Sequence, residues 1–480
     1  MKRFILFSAC RARSRSRAFL MAAAVAGLAL TSSGVTMTAS SSPAELVSIR
    51  NIAPAATGSA ATNAVVVWNA NAGEASVAAC FIGGYGPQEA RMYAMMHAAI
   101  HDALNAIDRR SQPYAASLRA PRGASPAAAV AAASRRVLVP VLRSFSFFLP
   151  EQCILDGVSS VKADYAAALG AIPDGVAKAR GVAIGHAAAA AILALRTADG
   201  HDTPLTDPDY QEGTAPGEYR YPPDAPLAFA PFLGTDLDPF VLKKGSQFRP
   251  GPPYPLTSHR YAADVNEIQR LGGDDVTTPS ARTAEQTEIA HFWVESSPLL
   301  WNRVARTVAA AEGLNAWKSA RLFGLLNMAL TDGYIGTFET KYHYRFWRPV
   351  TAIRLAAVDG NPATTADPTW TPLLPTPPIP DYDSGHAVEG GVAAQVLKRF
   401  FHTDRMSFSV CSFTLPAGQT CNDASPTMRR FTRFSQAARE NAVSRIYVGF
   451  HFRDAVVTGT RHGKRIGNWT VGHAMRPSDH

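Results

Sequence analysis

The sequence predicts an all-α protein, a large helical bundle joined by long proline-rich connectors. Three observations support this. Apolar residues, alanine and leucine above all, recur at helical spacing over most of the chain. Alternating polar and apolar runs, the mark of a half-buried strand, are scarce. Prolines gather between the helical segments, most densely over 203–257 and 360–382, where a fixed φ and a missing N–H stop a helix. Hydrophobic residues make up 47% of the 480, against 18% charged, so the chain can bury a large core and does not have a disordered composition.

In order along the chain, residues 1–40 read as a cleaved export signal and its tail. Lys2, Arg3, Arg11, Arg13, Arg15 and Arg17 precede the apolar run "AFLMAAAVAGLAL" (18–30), which is too short to span a bilayer comfortably, and a small, polar stretch follows. The mature chain is expected to begin after residue 30, in the periplasm or outside the cell. Without those six cations the formal net charge falls from +9 to +3, which removes the electrostatic case for nucleic acid or an anionic membrane as partner. No later stretch offers eighteen uninterrupted apolar residues, so no span is expected in the mature chain.

Residues 41–200 form the expected N-terminal helical half, with helices over 88–108, 125–145 and 158–197. Residues 201–258 form a proline-rich belt. Connectors of that length usually wrap a site or cover a surface. Residues 259–480 form the C-terminal helical half, with helices over 259–271, 282–296, 302–340, 384–402 and 429–448, and this half carries the chemistry. Of five cysteines, Cys10 leaves with the signal. The remaining four, in an oxidising compartment, fit two disulfides, most simply Cys80–Cys153 and Cys411–Cys421. There is no C-x-x-C, so zinc held by thiolates is not expected.

Three short stretches carry the functional reading. In "KYHYRFWRP" (341–349), Lys341 and Arg348 stand seven residues apart among aromatic rings, a spacing that a helix would bring to one face, with Pro349 ending or bending it just after Arg348. Cations held beside apolar rings suggest a missing counter-anion. In "IPDYDSGHAVEGGVAAQVLKRFF" (379–401), Ser384, Gly385 and His386 open a helix for which Asp383 or Asp381 is an expected N-cap. A helix start offers free N–H groups and the positive end of a dipole to an oxyanion. Gly385 permits close approach, Ser384 adds a hydroxyl, and His386 can move protons near neutral pH. In "SRIYVGFHFRD" (444–454), Arg445 supplies a planar fork for oxyanions, and His451 is a ligand, a nucleophile or a packed residue.

In the order K-x6-R-P, S-G-H, S-R-x5-H, these stretches resemble the vanadium-dependent haloperoxidases, which share a helical core and active site with the type 2 phosphatidic acid phosphatases. "LNMALTDGYIGTFETKYHYRFWRPVTAIR", "RTAEQTEIAHFW" and "MYAMMHAAIHDALNAID" are similar to the bacterial secreted branch, so the resemblance spans roughly residues 65–475. It implies a vanadate cofactor in a cage where Lys341, Arg348 and Arg445 neutralise the anion's oxygens and Ser384 and the Gly385 N–H donate to it. His451 would bond the vanadium, His386 would be the acid–base residue, and Lys341 would polarise the bound oxidant. Hydrogen peroxide, halide and a small organic acceptor would be the partners, and a homodimer is one assembly open to the chain. The alternative on the same cage is a secreted acid phosphatase, in which His451 attacks phosphorus to give a phosphohistidine. A non-catalytic oxyanion binder, the third reading, would leave His386 without a role.

The sequence departs from the family pattern at two places. Asp383 stands where proline often precedes Ser-Gly-His. It would weaken anion binding if it points inward, or cap the helix or pair with Arg345 if it does not. Asp454 follows His451 by three residues rather than four, so the group that orients His451 is open, and Glu288 and Asp332 are candidates to support His386. Elsewhere, His97 and His101 have zinc-like spacing but no third ligand. "DGHDTPLTDPD" (199–209) reads as a solvated loop and "GGYG" (83–86) as a turn.

Overall fold

The computed structural model describes residues 63–81, 85–223, 225 and 227–478. The expected export signal and Gly83 and Gly84 of "GGYG" lie outside the described residues. All described residues fall within one unit, Ile49–His480.

The helices are α1 (Ala64–Ala78), α2 (Gly86–Ile107), α3 (Pro126–Arg143), α4 (Glu151–Gly170), α5 (Val176–Leu195), α6 (Leu233–Asp236), α7 (His259–Leu271), α8 (Ala284–Phe292) and α9 (Ser297–Ala311). They continue with α10 (Ala316–Tyr344), α11 (Pro349–Arg354), α12 (Gly385–Phe401), α13 (Phe434–Tyr447) and α14 (Arg453–His473). The strands β1 (Arg405–Val410) and β2 (Arg429–Arg433) form one antiparallel ribbon, with Phe408 opposite Phe431. The all-α expectation holds, and several boundaries differ from it for local reasons. The run 158–197 is two helices, because Gly170, Pro173 and Gly175 interrupt it and Gly175 adopts φ 145°. The run 302–340 also divides, with Gly313 at φ 58° after α9 and Asn315 capping α10 by accepting from the Lys318 amide. Residues 429–433 pair with β1 and do not continue a helix.

The sequence reading did not include α1 or α14. In α14, Gly459, Gly463 and Gly467 lower helix propensity, but they are what lets the helix lie on α12. A Cβ at Gly459 would come 2.7 Å from the Ser384 carbonyl oxygen, and one at Gly463 would come 2.0 Å from that of Val388. Contact therefore overrides propensity here, and the helix that carries Ser384, Gly385 and His386 is seated directly on a neighbour's backbone.

Helix α10 runs through the centre and packs on α2, α12 and α14. Trp68, Trp293 and Trp301 are buried in the main core, and Trp347 and Trp370 in a second cluster with Tyr261 and Ile353. An amide ladder crosses this core: Asn69 donates to Asn302 (2.7 Å) and Asn302 donates to Asn327 (2.7 Å). His97 belongs to it, 2.8 Å from Asn69, with its pKa lowered by burial to about 3. It is a neutral core residue, and no group of three or more His, Cys, Asp or Glu side chains able to hold a metal occurs among the described residues. Both expected disulfides form, Cys80–Cys153 and Cys411–Cys421. Helix α5 alone among the described residues is long and apolar enough to cross a membrane; it packs on α3 and α2.

The belt over 201–258 lies along the C-terminal elements. The Tyr219 amide donates to the Arg345 carbonyl (2.7 Å), Trp347 to Gly217 (2.9 Å) and Phe229 to Pro378 (2.8 Å). Further along, Asp332 accepts the amides of Phe240, Val241 and Leu242 at 2.6–2.8 Å. Asp332 is therefore a fastening for the belt and does not support His386.

Glu89 on α2 is a buried acid held by Ser76 (2.5 Å) and Ser296. Burial raises its pKa from 4.5 to about 7, against the pull of those hydrogen bonds. The folded protein thus keeps a proton that the unfolded chain releases near pH 4.5, so its stability falls as pH rises through this window. Relative to the wild type, Glu89→Gln should gain stability between pH 4.5 and 7, by up to about 3 kcal/mol. Thermal unfolding of both proteins across that range checks this; a difference that does not change with pH would refute it.

Candidate active site

Lys341 and Arg348 come from different helices, not from one helical face. Helix α10 ends at Tyr344 because Arg345 takes the left-handed conformation (φ 49°), and the chain restarts with Arg348 as N-cap and Pro349 in the first turn of α11. Pro349 therefore starts a helix, where its missing N–H costs nothing. Both cations are fully buried. Lys341 Nζ donates to the carbonyls of Pro380 and Asp381, each at 2.8 Å. Arg348 donates through Nε to Ile379 (2.6 Å) and through Nη1 to Phe450 (2.8 Å). The segment 379–381 is thus pinned by both cations, and it leads directly into Ser384.

The N-cap of α12 is Ser384, not Asp383 or Asp381. Its hydroxyl caps nothing: the oxygen is buried without a partner among the described residues. A Cβ placed on Gly385 would meet nothing within 4 Å, so open space lies before the helix start. His386 follows in the first turn with its Nε2 buried and unpartnered. Helix α13 supplies Arg445, which donates to the Trp293 carbonyl (3.3 Å) and lies 5.0 Å from the Phe450 ring, with Nε unpartnered. A turn at Gly449 (φ 85°) then brings back Phe450 and His451, whose amides both donate to the Arg445 carbonyl.

His451 lies between Asp381, 2.9 Å from Nδ1, and Arg348 Nη1, 3.0 Å from Nε2. A carboxylate accepts and a guanidinium donates, so the proton belongs on Nδ1 and the lone pair on Nε2. That is the form a metal ligand or nucleophile needs, and Asp381 enforces it. Asp381 is the orienting group that the spacing of Asp454 left open. Asp454 instead donates its amide to Asp264 (2.8 Å).

Asp383 does not cap the helix or pair with Arg345. Its carboxylate accepts from Thr337 on α10 (2.8 Å) and pairs with His462 on α14 (2.9 Å), with all three residues buried. Arg345 lies over the Tyr210 ring at 5.1 Å and donates to the Gln211 carbonyl. Glu288 pairs with Arg429 (2.6 Å) and so does not support His386. Backbone hydrogen bonding at Glu295 and Val294 acts on His386 in that place.

Burial, then the repulsion of Arg348, pushes Lys341 well below its ordinary pKa. Burial and Arg348 lower Arg445 to about 9. Burial, followed by the surrounding cations, drives His386 and His451 well down. A bound anion would oppose each of these shifts. Of the seven residues that the motifs singled out, four carry a buried polar atom with no partner among the described residues: Arg348 Nη2, Ser384 Oγ, His386 Nε2 and Arg445 Nε. Buried polar groups rarely go unpaired, and these fit a small, multiply charged oxyanion.

A helical bundle closing on such a cage defines a class of protein. Residues 321–480 match the VCPO second helical-bundle domain, and the chain is similar to vanadium haloperoxidases over most of its length. It is 26% identical to the vanadium chloroperoxidase of Curvularia inaequalis over 492 aligned positions, covering 82% of this chain and 79% of the relative. Its fold is similar to the crystal structure of a bacterial vanadium-dependent iodoperoxidase (TM-score 0.69, 23% identity, 87% of this chain and 97% of the other). It is also similar to that of an apo bacterial vanadium-dependent chloroperoxidase (TM-score 0.62, 18% identity, 81% and 94%).

Proposed function

We propose that this protein is an exported, vanadate-dependent haloperoxidase that oxidises halide with hydrogen peroxide, giving a hypohalous acid equivalent that halogenates organic acceptors. The observation that carries the reading is the convergence of Lys341, Arg348, Arg445, Ser384, Gly385, His386 and His451 with four of their polar atoms unpaired. Bound vanadate supplies a pentavalent Lewis acid that activates peroxide toward halide without redox cycling of the metal. Arg348 and Arg445 present guanidinium N–H groups to its oxygens, and Ser384 with the Gly385 amide donates from the helix start. His451 offers the Nε2 lone pair, held in that tautomer by Asp381 Oδ1. His386, neutral because burial disfavours its cation, accepts a proton at Nε2. Lys341, anchored on two carbonyls, contributes positive charge where negative charge collects. Export is supported by the basic and apolar start of the chain and fits an oxidising compartment for the two disulfides.

The phosphatase on the same cage is separated by titrating vanadate-free protein with vanadate while following both reactions. Halogenation should need vanadate, bromide and peroxide together, and phosphate should inhibit by competing for the three cations. Phosphoester turnover extinguished by vanadate, with no halogenation at any vanadate level, would overturn the reading, since vanadate mimics the phosphoryl-transfer transition state.

A further inference from the structure

Beside the cage lies a cluster of tyrosines that the proposed reaction does not use. Tyr210 sits 5.6 Å from Tyr342 and 6.4 Å from both Tyr219 and Tyr221 by ring centroids, and Tyr219 lies 6.1 Å from Tyr221. The cluster is fastened to the site's own chain. Tyr342 directly follows Lys341, and the Tyr219 amide donates to Arg345, three residues before Arg348. Arg348 acts electrostatically on both Tyr219 and Tyr342. Tyr342 Oη donates to the Phe229 carbonyl (2.5 Å), and the Phe229 amide donates to Pro378, at the edge of the pinned segment 379–381. Tyr219 is fully buried, whereas Tyr210, Tyr221 and Tyr342 are each half-buried.

From this placement we infer that the enzyme halogenates its own chain at Tyr210, Tyr221 and Tyr342. The inference rests on the haloperoxidase reading above. A phenol is an electron-rich ring that hypohalous acid attacks without further catalysis. With bromide, a ring carbon ortho to the hydroxyl gives its electron pair to the bromine of hypobromous acid. The carbon–bromine bond forms, the bromine–oxygen bond breaks, and the departing hydroxide takes the displaced ring proton to leave as water. Peroxide and bromide supply the oxidant. When no organic acceptor is present, these rings meet the oxidant at a higher local concentration than any distant tyrosine does.

Tyr165 provides the internal comparison. It is also half-buried but sits on α4, which packs on α1 and α3, away from the C-terminal elements. Vanadate-loaded enzyme should be incubated with peroxide and bromide without acceptor, and bromotyrosine quantified by peptide mass spectrometry. The same protein treated with added hypobromite gives the ratio for an oxidant arriving from bulk solution. Turnover should raise the ratio of cluster to Tyr165 labelling by about tenfold over that reference, as a local source does. Equal ratios under the two treatments, or an unlabelled cluster in enzyme that brominates an added indicator, would overturn the inference. Enzyme that brominates no indicator at all would overturn the functional reading and the inference together.

Discussion

The His451→Ala variant is expected to lose halide oxidation, by at least about a hundredfold, because it removes the lone pair proposed to bond the vanadium. The fold should survive: α10, α12 and α13, which carry Lys341, His386 and Arg445, pack together and on α14. The cost should be local, since Asp381 keeps a buried carboxylate without its imidazole partner. Vanadate binding by equilibrium dialysis, bromide-dependent halogenation and circular dichroism should be measured on one preparation. A folded variant with wild-type affinity and activity would remove His451 from the site.

Asp381→Asn should show a second, separable effect. The amide preserves shape but not charge, and it can present a donor where His451 Nδ1 needs an acceptor. His451 would then lose the bias that keeps its lone pair on Nε2. Loss of such a supporting group typically lowers metal affinity by about 10- to 100-fold, so vanadate should bind correspondingly more weakly. Excess vanadate should restore part of the activity in this variant and none in His451→Ala. An Asp381→Asn protein with unchanged vanadate affinity would show that the contact seen at 2.9 Å does not orient the ring.

How much of this was legible beforehand depended on how locally each feature is encoded. The seven cage residues occupy three short motifs, and the structure brings all three motifs together. Helical class was equally plain from apolar periodicity, and the two disulfides followed from an even count of cysteines. Partners set by tertiary contact were not legible. Asp381 lies 70 residues from His451 and Asp383 lies 79 from His462, so no spacing rule connects them. Asp332 is a sequence candidate to support His386, yet its oxygens are occupied by three amides of the belt. Lys341 and Arg348 were assigned to one helix because seven residues fit two turns. The left-handed Arg345 breaks that helix, and arginine is not a residue that announces such a conformation. Helix α14 was missed because its glycines read as breakers when the packing that requires them is out of view.

Those glycines have a consequence for how the protein can change over time. Gly459 and Gly463 leave no room for a methyl group against the backbone of the helix that begins at Ser384. Glycine is already the smallest residue, so every substitution there adds atoms, and each must move the start of α12 or lift α14 away. The same helix turns Arg461, Lys464 and Arg465 to solvent, where replacement costs little. One strip of α14 is therefore free to drift while the strip beside it is closed to heritable variation, although neither strip holds any of the seven cage residues.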